Sequence, residues 1–343
     1  MTPFSYVRTA DVNEAVREIA ADASARFIAG GTNIIDLMKE NVARPTRLID
    51  ITRLPLNRIE ETPDGGLRLG ALCTNADTAY DEHVQRRYPL LSKAILAGAS
   101  AQLRNMATNG GNLLQRTRCW YFYDTGTACN KREPGSGCPA IAGLNRMHAV
   151  LGASEHCIAV HPSDMCVALA ALDATVRVQG VQGQRSIPFA KFHRLPGDTP
   201  HIDNDLQREE IITAIDLPAK GYPDHYAYLK VRDRTSFAFA LVSVAAALEM
   251  DGETVREARI ALGGVAHKPW RDSAAEALLR GQAATEQNFR RVAEAFMKDA
   301  RGYGHNAFKI VLAKRAIVRA LVQAARMEKN GDTHLHRTTT EPH

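Results

Sequence analysis

Hydrophobic positions recur along this chain with two spacings, and the switches between them mark its elements. FSYV (4–7) alternates as a short strand. Behind it Ala15, Val16, Ile19 and Ala20 share one face of a helix that Asp11 or Asn13 can cap. A second strand, RFIA (26–29), runs into Gly30-Gly31-Thr32-Asn33, where IIDLM (34–38) opens a helix, and LIDI (48–51) is a third strand. This βαβαβ-like opening sets a glycine turn at a strand-to-helix junction, where the helix N-terminus favours an anion.

Further on, LRLGA (67–71) reads as a strand, Thr74 caps a polar helix through about Arg87, and residues 90–103 read as one buried helix. MCVALAALD (165–173) is helical, TVRV (175–178) is a strand, and IITAIDL (211–217) is a strand stopped by Pro218. GYPD (221–224) reads as a linker. Three strand-like runs follow at 226–231, 239–248 and 258–263, then amphipathic helical stretches at 273–279, 288–300 and 306–327. Strands followed by helices indicate an α+β layer. From Glu328 the chain is polar and reads as a frayed tail.

The 343 residues allow two or three packed units. A net charge of +5 without a long basic run argues against nucleic acid as a partner. No apolar run reaches the roughly 20 residues that span a bilayer. The first residues lack a basic segment followed by an apolar one, so the expectation is no export signal of the chain's own.

The candidate chemistry is concentrated between residues 108 and 166. AGGTN (29–33) and TNGGN (108–112) are two similar glycine turns. Successive N–H groups of such turns can cradle a diphosphate, and Thr and Asn add hydrogen bonds without charge. Each also reads as a plain structural turn. There is no G-x-G-x-x-G and no G-x-x-x-x-G-K-[ST], which excludes the usual dinucleotide and P-loop signatures. Five of the six cysteines, Cys119, Cys129, Cys138, Cys157 and Cys166, lie in this segment. Clustered thiolates hold iron–sulfur clusters or zinc. The first four are separated by 9, 8 and 18 residues, which matches neither ferredoxin nor zinc-ribbon spacing. Structural disulfides are the plain alternative, disfavoured in a large chain without a signal peptide. Cys166 lies in an apolar run and Cys73 follows a strand, so both read as buried. Arg116, Arg118, Lys131 and Arg132 read either as offsetting thiolate charge or as a solvated loop face.

Together AGGTN (29–33), TNGGN (108–112) and HPSD (161–164) resemble the FAD-binding subunits of the molybdenum hydroxylases, the xanthine dehydrogenase and aldehyde oxidoreductase family. The likeness continues through IITAI (211–215), YLKV (228–231), Gly263-Gly264 and AHKPWR (266–271), and spans about residues 1–325. Most members pass from the GGN turn almost directly to the S-D motif. Here an insert of about 40 residues intervenes. With LLQRTRC (113–119) and YFYD (121–124), it is similar to the insert of bacterial periplasmic aldehyde oxidoreductases, which carries an additional [4Fe–4S] cluster.

The resemblance implies an α+β architecture. A vanillyl-alcohol-oxidase-type (PCMH-type) FAD-binding domain would comprise two α/β subdomains, at 1–60 and 61–221, with the cluster insert at about 115–160. A small C-terminal domain of the CO dehydrogenase flavoprotein type would occupy 222–327, and a tail 328–343. It implies FAD contacts from Arg26, Phe27, Ile28, Ala29, Gly30, Gly31, Thr32, Asn33 and Ile34, and from Thr108, Gly110, Gly111 and Asn112. Asp164, Ile211, Ile212 and Lys230 would complete that site, and Cys119, Cys129, Cys138 and Cys157 would ligate the cluster. His267 to Arg271 reads as a packing motif between domains, and no residue is expected to be catalytic. The implied role is an oxidoreductase subunit that passes electrons to an external acceptor. It would work beside a molybdenum-cofactor large subunit that oxidises aldehydes to carboxylic acids and a small subunit with two [2Fe–2S] clusters. Its location would be the periplasm, by export with a signal-bearing partner, or else the cytoplasm. The alternatives are the FAD subunit of a xanthine dehydrogenase-like or hydroxybenzoyl-CoA reductase-like enzyme, and a zinc-stabilised scaffold.

Overall fold

The opening three strands form a parallel sheet: β1 (Ser5–Arg8), β2 (Ala25–Ile28) and β3 (Arg47–Asp50), in the order β1-β3-β2. The structure is a computed structural model and describes residues 1–326; Met327 and the tail expected at 328–343 lie outside it. The helix Val12–Ala21 is capped by Asp11 and buries Ala15, Val16 and Ile19 against this sheet.

The second sheet has the order β4-β5-β8-β6-β7, from β4 (Ile59–Glu61), β5 (Leu67–Gly70), β6 (Thr175–Gly180), β7 (Gly183–Pro188) and β8 (Ile211–Leu217). The third comprises β9 (Tyr226–Val231), β10 (Val242–Asp251), β11 (Thr254–Gly263) and the two-residue strands β12 (Trp270–Arg271) and β13 (Gln282–Ala283). β10 is buried on both faces because its side chains alternate. Val244, Ala246 and Leu248 pack toward the helices Glu286–Phe296 and Phe308–Arg326. Ala245 and Ala247 face the other way, into the core formed with the helices Pro89–Ala97 and Asp164–Ala171. Alanines on that face let the helices come close. Arg271 adds polar ties, donating to the Ala170 carbonyl and to Asp173 and Glu276.

The patterning misjudged two helices. The run from Thr74 to Arg87 is interrupted at Asp81, whose carboxylate caps a second helix, Glu82–Arg87. Residues 90–103 do not form one buried helix. Pro89–Ala97 ends at Gly98, which is extended, Ala99 is left-handed, and the following helix Ala101–Arg104 buries nothing. The chain turns there because Gly98 packs against the Asp164 carboxylate and its carbonyl accepts from Arg104 at 2.7 Å. The short edge strands β4, β7, β12 and β13 left no readable period.

Candidate functional site

The two glycine turns touch. Gly30 lies so close to the Met106–Ala107 peptide that a Cβ there would overlap the Met106 carbonyl oxygen, and Gly31 is left-handed at φ +73°. TNGGN is not a free turn. It begins the helix Asn109–Leu113, with Thr108 Oγ1 accepting from the Gly111 N–H at 3.3 Å. The N–H groups of Asn109 and Gly110 bond the Cys73 and Ala71 carbonyls, which fastens this helix to the end of β5. Asn109 is fully buried and bonds Thr78 and the Gly70 carbonyl, so it supports the site from behind.

A cleft of about 620 Å³ runs along these turns. Arg26, Phe27, Ala29, Gly30, Gly31, Thr32, Asn33, Ile34, Thr108, Gly110, Gly111, Ile211 and Ile212 line it. Ile28 stands behind Gly31 rather than in the wall. A second cleft of about 260 Å³ shares Thr32, Asn33 and Gly111 with the first and continues to Asn112, Asp164 and Lys230. Together they have the size of a cofactor site. Asn33 Nδ2 is buried there without a hydrogen-bond partner, as a donor reserved for a ligand would be. The Asn112 side chain is committed within the protein, donating to Asn75 at 2.6 Å and accepting from Ser163 and Gln115. It therefore shapes the cleft.

Asp164 does not cap its helix; Ser163 does. The carboxylate instead accepts from Lys230 Nζ at 2.7 Å and from the Tyr228 hydroxyl at 2.6 Å. Lys230 and Asp164 are both under 10% exposed, so this is a buried ion pair joining the third sheet to the cleft. Burial and the adjacent Asp164 carboxylate raise the Tyr228 hydroxyl well above its ordinary pKa, so it stays a donor.

The cysteine-bearing segment has little regular structure: the helix Trp120–Tyr123 and a 3₁₀ turn, Pro139–Ile141. It nevertheless brings Cys119, Cys129, Cys138 and Cys157 to the wall of one small cavity, with His148 beside them. All six cysteines are free thiols, and Cys73 and Cys166 are buried elsewhere. The Cys157 thiol hydrogen-bonds the Cys138 sulfur, which lowers Cys138 to about 6 and holds the proton on Cys157. Burial pushes Cys119 up to about 11. Among the described residues, the only three ligand groups all within 4.8 Å of one another are His161, Cys166 and His193. Cys138 and Cys157 lie within hydrogen-bond reach of each other, and the four insert thiols share one cavity. His161 accepts the Ser163 N–H on Nδ1, so its neutral ring carries its proton on Nε2 and offers a metal no lone pair there. His193 bonds the Leu113 carbonyl at 2.8 Å, and burial lowers it to about 4. These two rings pack as neutral imidazoles.

The basic residues of the insert are tied to carboxylates and carbonyls rather than solvated, and Lys131 also lines the thiol cavity, where its charge favours a Cys157 thiolate. Arg116 and Lys131 both bond Asp203, Arg118 bonds Asp36 at 2.8 Å, and Arg132 donates to the carbonyls of Tyr121, Phe122 and Thr127. Burial alone would raise the Asp203 pKa, but Lys131 and Arg116 hold it below the ordinary range. On the other side, buried Lys309 donates to the carbonyls of Met147, His148 and Gly264, and Asn306 donates to those of His148 and Ala149.

Residues 2–220 match the family model described as the FAD binding domain in molybdopterin dehydrogenase, and residues 226–324 match the CO dehydrogenase flavoprotein C-terminal domain. The chain belongs to the FAD-binding subunits of the molybdenum hydroxylases. It is 51% identical to the aldehyde oxidoreductase FAD-binding subunit of Escherichia coli, over 94% of this chain and 99% of that one. It is 29% identical to the glyceraldehyde dehydrogenase medium chain of Sulfolobus acidocaldarius, over 78% of each. The solved carbon monoxide dehydrogenase of Hydrogenophaga pseudoflava superposes with a TM-score of 0.74 at 27% identity, covering 94% of this chain and 97% of that one. The chain is thus an oxidoreductase subunit with an FAD-binding domain.

In this FAD-binding subunit the clefts also take walls that the motifs did not signal. Val42 to Pro45 and Asp203 to Arg208 flank the first cleft, and Leu103, Arg104, Arg232 and Phe237 to Phe239 flank the second. Apart from Leu103 and Arg104, which end a short helix, these are loop residues with no local pattern, placed by tertiary packing. His148 was missed for the same reason, since an isolated histidine carries no spacing.

Proposed function

We propose that this chain is the FAD- and [4Fe–4S]-containing electron-transfer subunit of a heterotrimeric, molybdenum-dependent aldehyde oxidoreductase. The observation that carries the finer part is the gathering of Cys119, Cys129, Cys138 and Cys157 around one cavity. The identity to the Escherichia coli subunit supports the aldehyde as substrate class. Bound FAD accepts electrons and releases them singly or in pairs, and the cluster exchanges one at a time. The residues named for these roles hold and position. The turn around Gly30 and Gly31, with Asn33 Nδ2, would receive the diphosphate. Asp164, fixed by Lys230 and Tyr228, would bond a cofactor hydroxyl. Lys230 would stand at the flavin side, and Ile211 and Ile212 would supply an apolar wall. The four thiolates would take the cluster and cross-tie the insert to the FAD domain. The chain would receive electrons from the [2Fe–2S] clusters of a small partner and deliver them to an external acceptor, while a large partner holds the molybdenum cofactor. Export beside a signal-bearing partner belongs to the same proposal.

The test is to purify the chain with its co-expressed neighbours, separate it, and measure iron, zinc and FAD with the absorption spectrum. About one FAD and about four iron per chain are expected. Cys138→Ser should lose iron, whereas Cys166→Ser should keep it. FAD without iron would refute the cluster, and zinc without flavin would refute the redox role.

A further inference from the structure

Of the polar side chains that line the thiol cavity beside the cysteines, His148 touches a sulfur. His148 Nε2 lies 3.1 Å from Cys119 Sγ, with the ring 4% exposed. Its other nitrogen, Nδ1, is buried without a hydrogen-bond partner. The ring cannot swing away easily. Its own carbonyl accepts from Lys309 at 2.8 Å and from Asn306 at 3.3 Å, and Tyr121 packs against it with centroids 6.4 Å apart.

We propose that His148 sets the reduction potential of the cluster by donating its Nε2–H to the Cys119 sulfur. The proposal rests on the cluster reading above. A ligating Cys119 is a thiolate and has no proton to give, so the imidazole must be the donor of this bond. A neutral ring has one N–H, and placing it on Nε2 leaves Nδ1 as the lone pair. One-electron reduction, with dithionite or a reduced partner cluster as donor, adds one negative charge shared over the irons and their sulfurs. The His148 N–H stabilises that extra charge more than it stabilises the oxidised state, so it raises the potential. Lys309 and Asn306 act one step further out. They fix the loop, and thereby the ring, from the C-terminal domain.

The experiment is a potentiometric titration followed by electron paramagnetic resonance, with iron analysis, on the full chain purified with its partners. Wild type, His148→Leu and His148→Gln are compared. After separation from the partners, all three should retain about four iron in this chain. Loss of the donor in His148→Leu should lower the potential by about 59 mV, a tenfold change in the one-electron equilibrium. His148→Gln keeps an N–H near the same place and should titrate close to wild type. An unchanged potential in His148→Leu overturns the proposal. So does a glutamine variant as low as leucine, which would indicate packing alone. Loss of iron from both variants would make His148 a ligand or an assembly residue and would equally overturn it. Wild-type chain without iron would refute the cluster reading itself, and the iron analysis separates that failure from the others.

Discussion

The glycine turns and the cysteine insert are both irregular backbone that gathers polar groups, yet they are held in opposite ways. The turns sit at the ends of regular elements. The N–H groups of TNGGN are spent on the Cys73, Ala71 and Thr108 oxygens, which fixes that turn to the end of β5, and Gly30 is packed against the Met106–Ala107 peptide just before it. The insert has only a small apolar cluster, with Leu37, Phe122 and Cys129 at its centre. Its shape comes from long side chains reaching backbone carbonyls, including Lys131 to Pro200, Arg132 to Phe122 and Lys309 to His148. A cradle built from backbone exists before its ligand arrives. A cavity built from separate tethers depends on each of them and gains most from a metal that ties the thiolates together.

This contrast can be broken by experiment. The largest effect is expected from Gly30→Ala, because the new Cβ must displace backbone rather than a flexible side chain. Destabilisation above about 4 kcal/mol and loss of bound flavin should follow, read by thermal melting and flavin absorbance. A stable, flavin-replete variant would show that the two turns are not locked. Next, Asp164→Asn leaves Lys230 buried without its counter-charge, at a cost of about 3–5 kcal/mol. Flavin affinity should fall while iron stays bound, which would separate the two regions. Lys309→Met removes the donor shared by three carbonyls and should cost about 2 kcal/mol. Here the order reverses: iron should become more accessible to a chelator while flavin is retained. The effect that is smallest near neutral pH is on pH dependence. The His193 pKa lies near 4 in the fold and 6.5 when unperturbed, so the native state binds fewer protons than the unfolded one. Its stability contribution is complete above pH 6.5 and is lost as pH falls toward 4, with a slope of up to about 1.4 kcal/mol per pH unit. His193→Phe should flatten that part of the denaturation profile.

Much of the cleft proposed for FAD was legible because its residues sit at boundaries between periods. AGGTN stands where a strand gives way to a helix, and TNGGN starts a helix after Thr108. Lys230 was legible only through resemblance. By periodicity it is an outward strand residue, and it is buried because the third sheet packs its alanine face against the helix that Asp164 begins. The break at Gly98 carried a local signal, the glycine and the capping Ser100, inside an alanine-rich run, but not its partner Asp164, 66 positions later. Arg116, Lys131 and Asp203 show the same limit. Their charges were readable, but their shared ion network was not.

The sequence by itself determined the local matters: where strands and helices lie, where glycine lets the backbone turn, and which thiols sit in polar loops rather than in apolar runs. These follow from side-chain period and backbone sterics, which act over a few residues. Only the tertiary structure decided that the two turns touch, that four widely spaced cysteines face one cavity, and that His148 stands beside Cys119. Those depend on distances between segments far apart in the chain, set by packing that no local pattern encodes.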